Sequence, residues 1–499
     1  MVALIQQPIA NAKLQNSCNK ITNKIKMPSN DKHVKFKGKF VFVGFGCIGQ
    51  GVLPLLLRHI DMTPAQVMII TADEQGREEA QHYNVAFVIN PLTPANYREI
   101  LGAVLHRGDF LLNVSIDVAS AALIEFCHGR GALYLDACIE PWAGGHTNTR
   151  LAPSHRSNYA LREEILTLRR KLGGGATAIS SHGANPGLIS HWVKQALLNL
   201  AHDTNGTAGK TPANRDEWAQ LAHSLNVKVI HCAERDTQAA NPPKRSGEFV
   251  NTWSVSAFAG EGCQPAELGW GSHERHDPAD GKHHDFGCDA AIYLERPGIS
   301  TRVRSWTPQE GAYQGFLIAH GESISIADYL TIRNSRKLCY RPTVLYAYYP
   351  CDAALLSIHE LNGKNLCLQP NCRELMDDIY DGADELGALL MGHSRGAYWY
   401  GSVLSIQAAR QLAPFNNATS LQVAAGVLGG VVWALENPAA GIIEPDEIPF
   451  ERVVEVAAPY LGKMTGHYGD WTPLAGRSAL FEEDLDRTDP WQFKNFRVT

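Results

Sequence analysis

The sequence predicts an α/β protein, a doubly wound parallel sheet followed by a second, mostly antiparallel domain. Three observations carry this. Short apolar runs alternate with helical stretches of about ten to fifteen residues from Lys39 onward, the pattern of parallel strands joined by crossover helices. Gly44-Phe45-Gly46-Cys47-Ile48-Gly49 spells G-x-G-x-x-G where the first run meets the first helix. After Trp142 the alternation stops, and from about Val227 to Gln407 short aromatic and β-branched runs are separated by glycines, as in a mostly antiparallel sheet.

In order, Lys39–Gly44 reads as the first strand and Cys47–Ile60 as the helix after it. Val67–Thr71 and Val85–Ile89 follow as strands, then a helix over Pro94–His106. Phe110–Val114, a helix over Ala119–Arg130 and a strand at Leu133–Asp136 complete the alternating part. Ser157–Leu172 reads as one charged helix and Pro186–His202 as another, with Pro186 suited to a first helical turn. Phe249–Phe258, Ala291–Leu294 and Thr343–Tyr349 are strand-like runs of the second domain. Leu421–Glu436 returns to helix, and a Trp- and Pro-rich arm, Trp471–Thr499, ends the chain. The expected division is a disordered tail over 1–32 and a dinucleotide-binding Rossmann domain over 33–160. A second domain over 161–416 follows, then C-terminal helices and arm over 417–499.

Bulk properties narrow the function. A chain of 499 residues exceeds one ordinary domain. A net charge of −6 argues against a nucleic-acid binder and accommodates a cationic substrate. Eleven cysteines without a C-x-x-C pair read as free thiols of a reducing, cytoplasmic compartment, with no metal site. The glycine-interrupted run Val423–Leu435 is too short to span a bilayer and reads as a buried helix, so no membrane partner is expected. The lysine-bearing first 32 residues lack the apolar core of a secretory signal; they read as a tail, or as an extension ahead of a start at Met27.

The glycine motif closes a strand and opens a helix, the context that gives it meaning. Gly44 permits the tight turn, Gly46 lets backbone approach a pyrophosphate, and Gly49 lets the helix pack close to the strand. The helix N-terminus offers unpaired N–H groups to phosphate. At the end of the second strand either Thr71 or Asp73 stands where an acid holds the adenine-ribose hydroxyls, and the nearest arginine is Arg77. NAD is therefore expected over NADP. The cofactor-binding set is Gly44, Gly46, Cys47, Ile48, Gly49, Thr71, Asp73 and Ser115.

Two other signals compete. Gly392-His393-Ser394-Arg395-Gly396 matches the G-x-S-x-G nucleophile elbow of hydrolases. The aromatic run Ala397–Leu404 after it reads as a returning strand, which makes it a hairpin turn. The loop Ser272–Cys288 holds His273, His276, His283, His284 and Cys288 without repeating a ligand spacing, and reads as a solvated loop.

From about Phe40 to Val498 the chain resembles the bacterial homospermidine synthases, a branch of the saccharopine-dehydrogenase-like proteins. The stretches that carry this are N-V-S-I-D at 113–117, C-I-E-P-W at 138–142, R-S-N-Y-A-L-R at 156–162 and H-G-A-N-P-G at 182–187. H-C-A-E-R-D-T-Q at 231–238, V-N-T-W-S-V at 250–255, Q-P-A-E-L-G-W-G at 264–271, H-G-E-S-I-S-I-A-D at 320–328, A-Y-W-Y-G-S at 397–402 and D-P-W-Q-F at 489–493 continue it. The resemblance implies a Rossmann domain completed by C-terminal helices, an inserted α+β catalytic and dimerisation domain, and a homodimer with tightly held NAD that joins two putrescines into homospermidine with release of ammonia, or takes the aminobutyl group from spermidine.

A diamine dication needs carboxylates at its ends, an apolar or aromatic wall between them, and a base near neutral pKa. By resemblance, Asp117, Glu140, Glu234, Glu261 and Glu322 contact amines, and Asn185 is a neutral partner near the nicotinamide. Trp253 holds a cationic imine by cation–π attraction, and His320 is the best titrating group for proton transfer. Plainer roles stand beside these: Asp117 could cap a helix, Glu234 could pair with Arg235, and Trp253, inside an apolar strand, could be core. The nearer functional alternative is a saccharopine or carboxynorspermidine dehydrogenase, whose amino-acid substrates call for cationic side chains.

Overall fold

The computed structural model describes residues 30–206, 210–335 and 337–498. Seven parallel strands form the cofactor-side sheet. From one edge to the other they run Ile442–Ile443, Ala178–Ile179, Leu133–Asp136, Phe110–Asn113, Phe40–Val43, Val67–Thr71 and Ala86–Ile89. The strands of this sheet are nearly continuous apolar runs because helices cover both faces. Strand order reverses between Phe40–Val43 and Phe110–Asn113, and in open α/β sheets ligands bind at that crevice.

The sheet reaches beyond residue 160. Ala178–Ile179 and Ile442–Ile443 extend it, so the second domain is inserted between its strands. The intended boundary at 160 therefore falls short. Two residues each are too few to show a period, and only the pairing makes them strands. The expected tail over 1–32 lies almost wholly outside the described residues. Within them, the Lys32 amine donates to the Leu57 and Ile60 carbonyls at 2.7 and 3.0 Å.

The inserted domain is built on a mixed sheet of eleven strands. At its centre Val229–Asp236 pairs in parallel with Thr343–Tyr349 and antiparallel with Ala383–Met391. Two helices join the domains. Leu188–Asn205 packs beneath Ala383–Met391 and Ala397–Ser405, and Ala418–Glu436 packs on Cys47–His59. Ala418–Glu436 is the apolar stretch expected to be buried, and its side chains are buried nearly all round.

Several expectations are corrected. The helix foreseen over Pro94–His106 covers Tyr97–Gly102, because a turn in which Thr93 N–H donates to Asn96 Oδ1 precedes it. The helix placed from Pro186 starts at Leu188, since Gly187 takes φ +127° and Pro186 stays in the turn. Phe249–Phe258 is not one strand. Glu248–Asn251 is the strand and Val255–Cys263 a helix capped by Ser254 Oγ, so Trp253 stands in the bend between them. The histidine loop is only partly solvated. Gly281–His283 is a strand, and the His284 ring is buried, stacked on Tyr159 at 3.8 Å. Among the described residues no three His, Cys, Asp or Glu side chains gather as a metal site. His393–Gly396 is the turn between the antiparallel strands Ala383–Met391 and Ala397–Ser405, with no helix behind Ser394.

Candidate active site

The crevice at the strand reversal opens into a cavity of about 520 Å³ that runs from the glycine turn to the inserted domain. At its cofactor end Gly44 has φ +81°, and a Cβ there would lie 2.6 Å from Ser115 Cα. A Cβ on Gly46 would meet nothing within 4 Å, so open space stands where a pyrophosphate approaches. Gly49 lies behind the cavity; a Cβ there would press on the Phe45 ring at 3.0 Å. The helix Cys47–His59 has no side-chain cap, which leaves its first N–H groups facing this space. Thr71, Asp73 and Ser115 line the same cavity, as do Asn90 and Leu92, which the sequence did not single out. Arg77 is engaged elsewhere, paired with Glu74 and lying over the Phe87 ring at 4.8 Å. These features fit a dinucleotide.

The other end is acidic. Asp117, Glu234 and Glu261 line it with His320, Asn185, Tyr346 and Trp253, while Glu374 stands beside Gln75, nearer the glycine turn, and no lysine or arginine among the described residues lines the cavity. Glu234 and Arg235 alternate on one strand, so they face opposite sides of the sheet. Arg235 turns to Glu310 and to the Tyr349 ring, and the pairing of Glu234 with Arg235 does not form. Glu234 accepts from Tyr346 Oη at 2.6 Å and Asn185 Nδ2 at 3.1 Å. Burial pushes its carboxyl up to about 7, although these donors and the nearby His320 favour the charged form.

His320 heads the helix Gly321–Tyr329 and stands between two carboxylates. Its Nε2 lies 2.9 Å from Glu261 Oε2 and its Nδ1 3.3 Å from Glu322 Oε1. Burial disfavours a charged ring, but Glu322 and Glu261 outweigh it and hold the imidazole well above its ordinary value. The two carboxylates thus favour the charged form of His320, while burial raises Glu234 toward neutrality. Glu322, expected to contact an amine, lies behind the imidazole and outside the cavity wall.

Asp117 has φ +62° and is not a helix cap, since the helix Ser120–Arg130 starts at Ala119 without a side-chain bond. Burial and the neighbouring Glu140 push its carboxyl up. Glu140 is buried at the edge of the site rather than in the main cavity. Its Oε2 accepts from Asp117 N–H at 3.4 Å and lies 3.5 Å from His146 Nε2. Trp253 is half-buried; its Nε1 donates to Tyr348 Oη at 3.3 Å, which leaves a ring face for the cavity. Sequence reasoning missed Tyr346, Glu374 and His146. The aromatic run Thr343–Tyr349 was the one signal pointing to Tyr346.

Family comparisons match this architecture. The saccharopine dehydrogenase NADP binding domain profile covers residues 40–179, and the saccharopine dehydrogenase C-terminal domain profile covers 183–470. A homospermidine synthase of Blastochloris viridis is 52% identical over 469 residues, 93% of this chain and 98% of its own. One of Mesorhizobium japonicum is 48% identical, over 92% and 96%. The crystal structure of the Legionella pneumophila homospermidine synthase in complex with NAD superposes with a TM-score of 0.87 at 51% identity, covering 93% of this chain and 98% of that one. The chain belongs to the saccharopine dehydrogenase family and, within it, to the homospermidine synthases.

Proposed function

We propose that the protein joins two putrescines, or the aminobutyl group of spermidine and a putrescine, into homospermidine, with NAD as a recycled cofactor. The observation that carries this is the cavity: a dinucleotide cradle opens onto carboxylates and an aromatic ring, with no lysine or arginine among the described residues to hold a substrate carboxylate, and with His320 already paired to Glu261 and Glu322. That wall disfavours the amino-acid substrates of a saccharopine or carboxynorspermidine dehydrogenase. The NADP in the name of the first family profile is set against Thr71 and Asp73 at the end of the second strand and Arg77 engaged with Glu74, which favour NAD.

The glycine turn, with Thr71 or Asp73 at the second strand's end, would hold NAD, which when bound would supply a recycled hydride acceptor and so allow a reaction with no net oxidation. The chain's own residues do the rest. Asp117 and Glu261 hold the ends of a dication against the apolar wall. Glu234 takes the proton that an ammonium must lose before its carbon can give up hydride. Asn185 donates to Glu234 and fixes that carboxylate. The Trp253 face stabilises the cationic imine, an attraction worth up to about 2 kcal/mol when desolvated. His320 returns a proton to the departing nitrogen. This reading includes a homodimer working in the cytoplasm; a one-chain mass by sedimentation equilibrium would remove the dimer from it.

The test is direct. Purified protein is incubated with putrescine, with and without added NAD, and products are identified by mass spectrometry. Homospermidine and ammonia without net NADH are expected. Net NADH without homospermidine would make the protein a plain amine dehydrogenase and overturn the proposal.

A further inference from the structure

Beside the main cavity lies a much smaller void of about 20 Å³. Cys138, Pro186, Glu261 and His320 line both, so the two spaces meet at the reacting end. One water-sized particle needs roughly 10–15 Å³, so this annex takes a single small guest. Its walls are rich in acceptors. Glu140 and Glu261 bring carboxylates, and Ser181 and Gln264, 7% and 1% exposed, bring a hydroxyl and an amide. Ser181 Oγ and Gln264 Oε1 have no hydrogen-bond partner. The amide is oriented by its other end, where Nε2 donates to His146 Nδ1 at 2.8 Å. His146 Nε2 then carries the ring proton toward Glu140 Oε2, 3.5 Å away. A buried acceptor left unpaired is costly, so these walls call for a guest that donates in several directions.

We propose that the annex is the binding site of the ammonium released in the reaction. The proposal rests on the activity read above. In the exchange step the incoming amine adds to the carbon of R–CH=NH2+, forming a C–N bond, and a proton moves from the incoming nitrogen to the original one. The original C–N bond breaks with its electron pair leaving on nitrogen, which gives R–CH=NH+–R′ and NH3. Ammonia then takes the proton of the His320 imidazolium in the shared wall and becomes ammonium. Ammonium has four donors and no acceptor, which complements two carboxylates, a hydroxyl and an amide oxygen. Methylammonium offers one donor fewer, and its methyl group would press on these acceptors or lie outside the annex.

The experiment uses the full chain with NAD and putrescine in 15N-ammonium, where reversal of the exchange places 15N in putrescine. Exchange is expected to saturate with ammonium, while methylammonium neither competes nor appears in N-methylputrescine. Gln264→Leu and Ser181→Ala should each raise the half-saturating ammonium at least fivefold. Thallium(I), a monovalent cation of similar size, should give an anomalous peak in the annex in crystals of the unaltered protein, a reading independent of how the variants fold. Unsaturable exchange, equal incorporation of methylammonium, or thallium absent from the annex would overturn the proposal while homospermidine synthesis stands. A protein that makes no homospermidine would take both readings down.

Discussion

Glu234 depends on its neighbours for its charge. Buried among tyrosines and raised to about 7, it is protonated and unable to act as a base below that pH, so turnover should fall as pH drops through 7. The Tyr346 hydroxyl opposes the rise. A hydrogen bond to a charged group is worth about 1.5–3 kcal/mol, or roughly one to two pH units. In Tyr346→Phe the acidic limb of kcat should therefore move to higher pH by that amount; superimposable profiles would remove Glu234 as the base. Trp253→Ala should bind NAD, by fluorescence titration, and lose about 30-fold in kcat, the rate equivalent of about 2 kcal/mol. Trp253→Phe should recover part of that loss, and full activity in the alanine variant would refute the cation–π role.

At the scale of elements, close packing places the site. Gly426, on the helix Ala418–Glu436, lies under the turn that carries Asn185, and a Cβ there would come 2.0 Å from the Gly183 carbonyl oxygen. Overpacking of this kind costs typically about 1–3 kcal/mol. Gly426→Ala should lower the melting temperature and reduce kcat by displacing Asn185, while NAD still binds; unchanged kcat with a lowered melting temperature would separate the turn from catalysis. The same elements show what a sequence reveals. Phe40–Val43 and Val67–Thr71 are legible because uninterrupted apolar runs bounded by turn residues announce buried strands. Trp253 was misplaced because an apolar run looks alike in a strand and in a strand-bend-helix corner. The acids of the site were legible as residue types in matched stretches, but which of them face the cavity was not. Glu261 and Glu322 flank one imidazole, and only the three-dimensional packing puts one in the wall and the other behind it.

Across the whole molecule, the C-terminal arm closes the inserted domain. Trp491, Phe493 and Phe496 are buried against the large sheet, and Arg497–Val498 adds a strand to Arg302–Thr307. Phe496→Ala should cost about 3–5 kcal/mol, read as a lowered denaturant midpoint; a midpoint unchanged from the parent chain would show that the arm only decorates the surface. The cofactor-side sheet, for its part, takes its first strand from Phe40–Val43 and its last from Ile442–Ile443. Chains leave the ribosome from the N-terminus, and domains fold as they emerge. Here the inserted domain's central strands emerge before the edge strand and the helix Ala418–Glu436 that complete the nucleotide-binding side. A nascent chain halted at residue 400 carries the whole glycine turn yet lacks the helix and edge strand that complete its sheet, so the finished dinucleotide cradle is a late product of synthesis although its signature is among the first parts made.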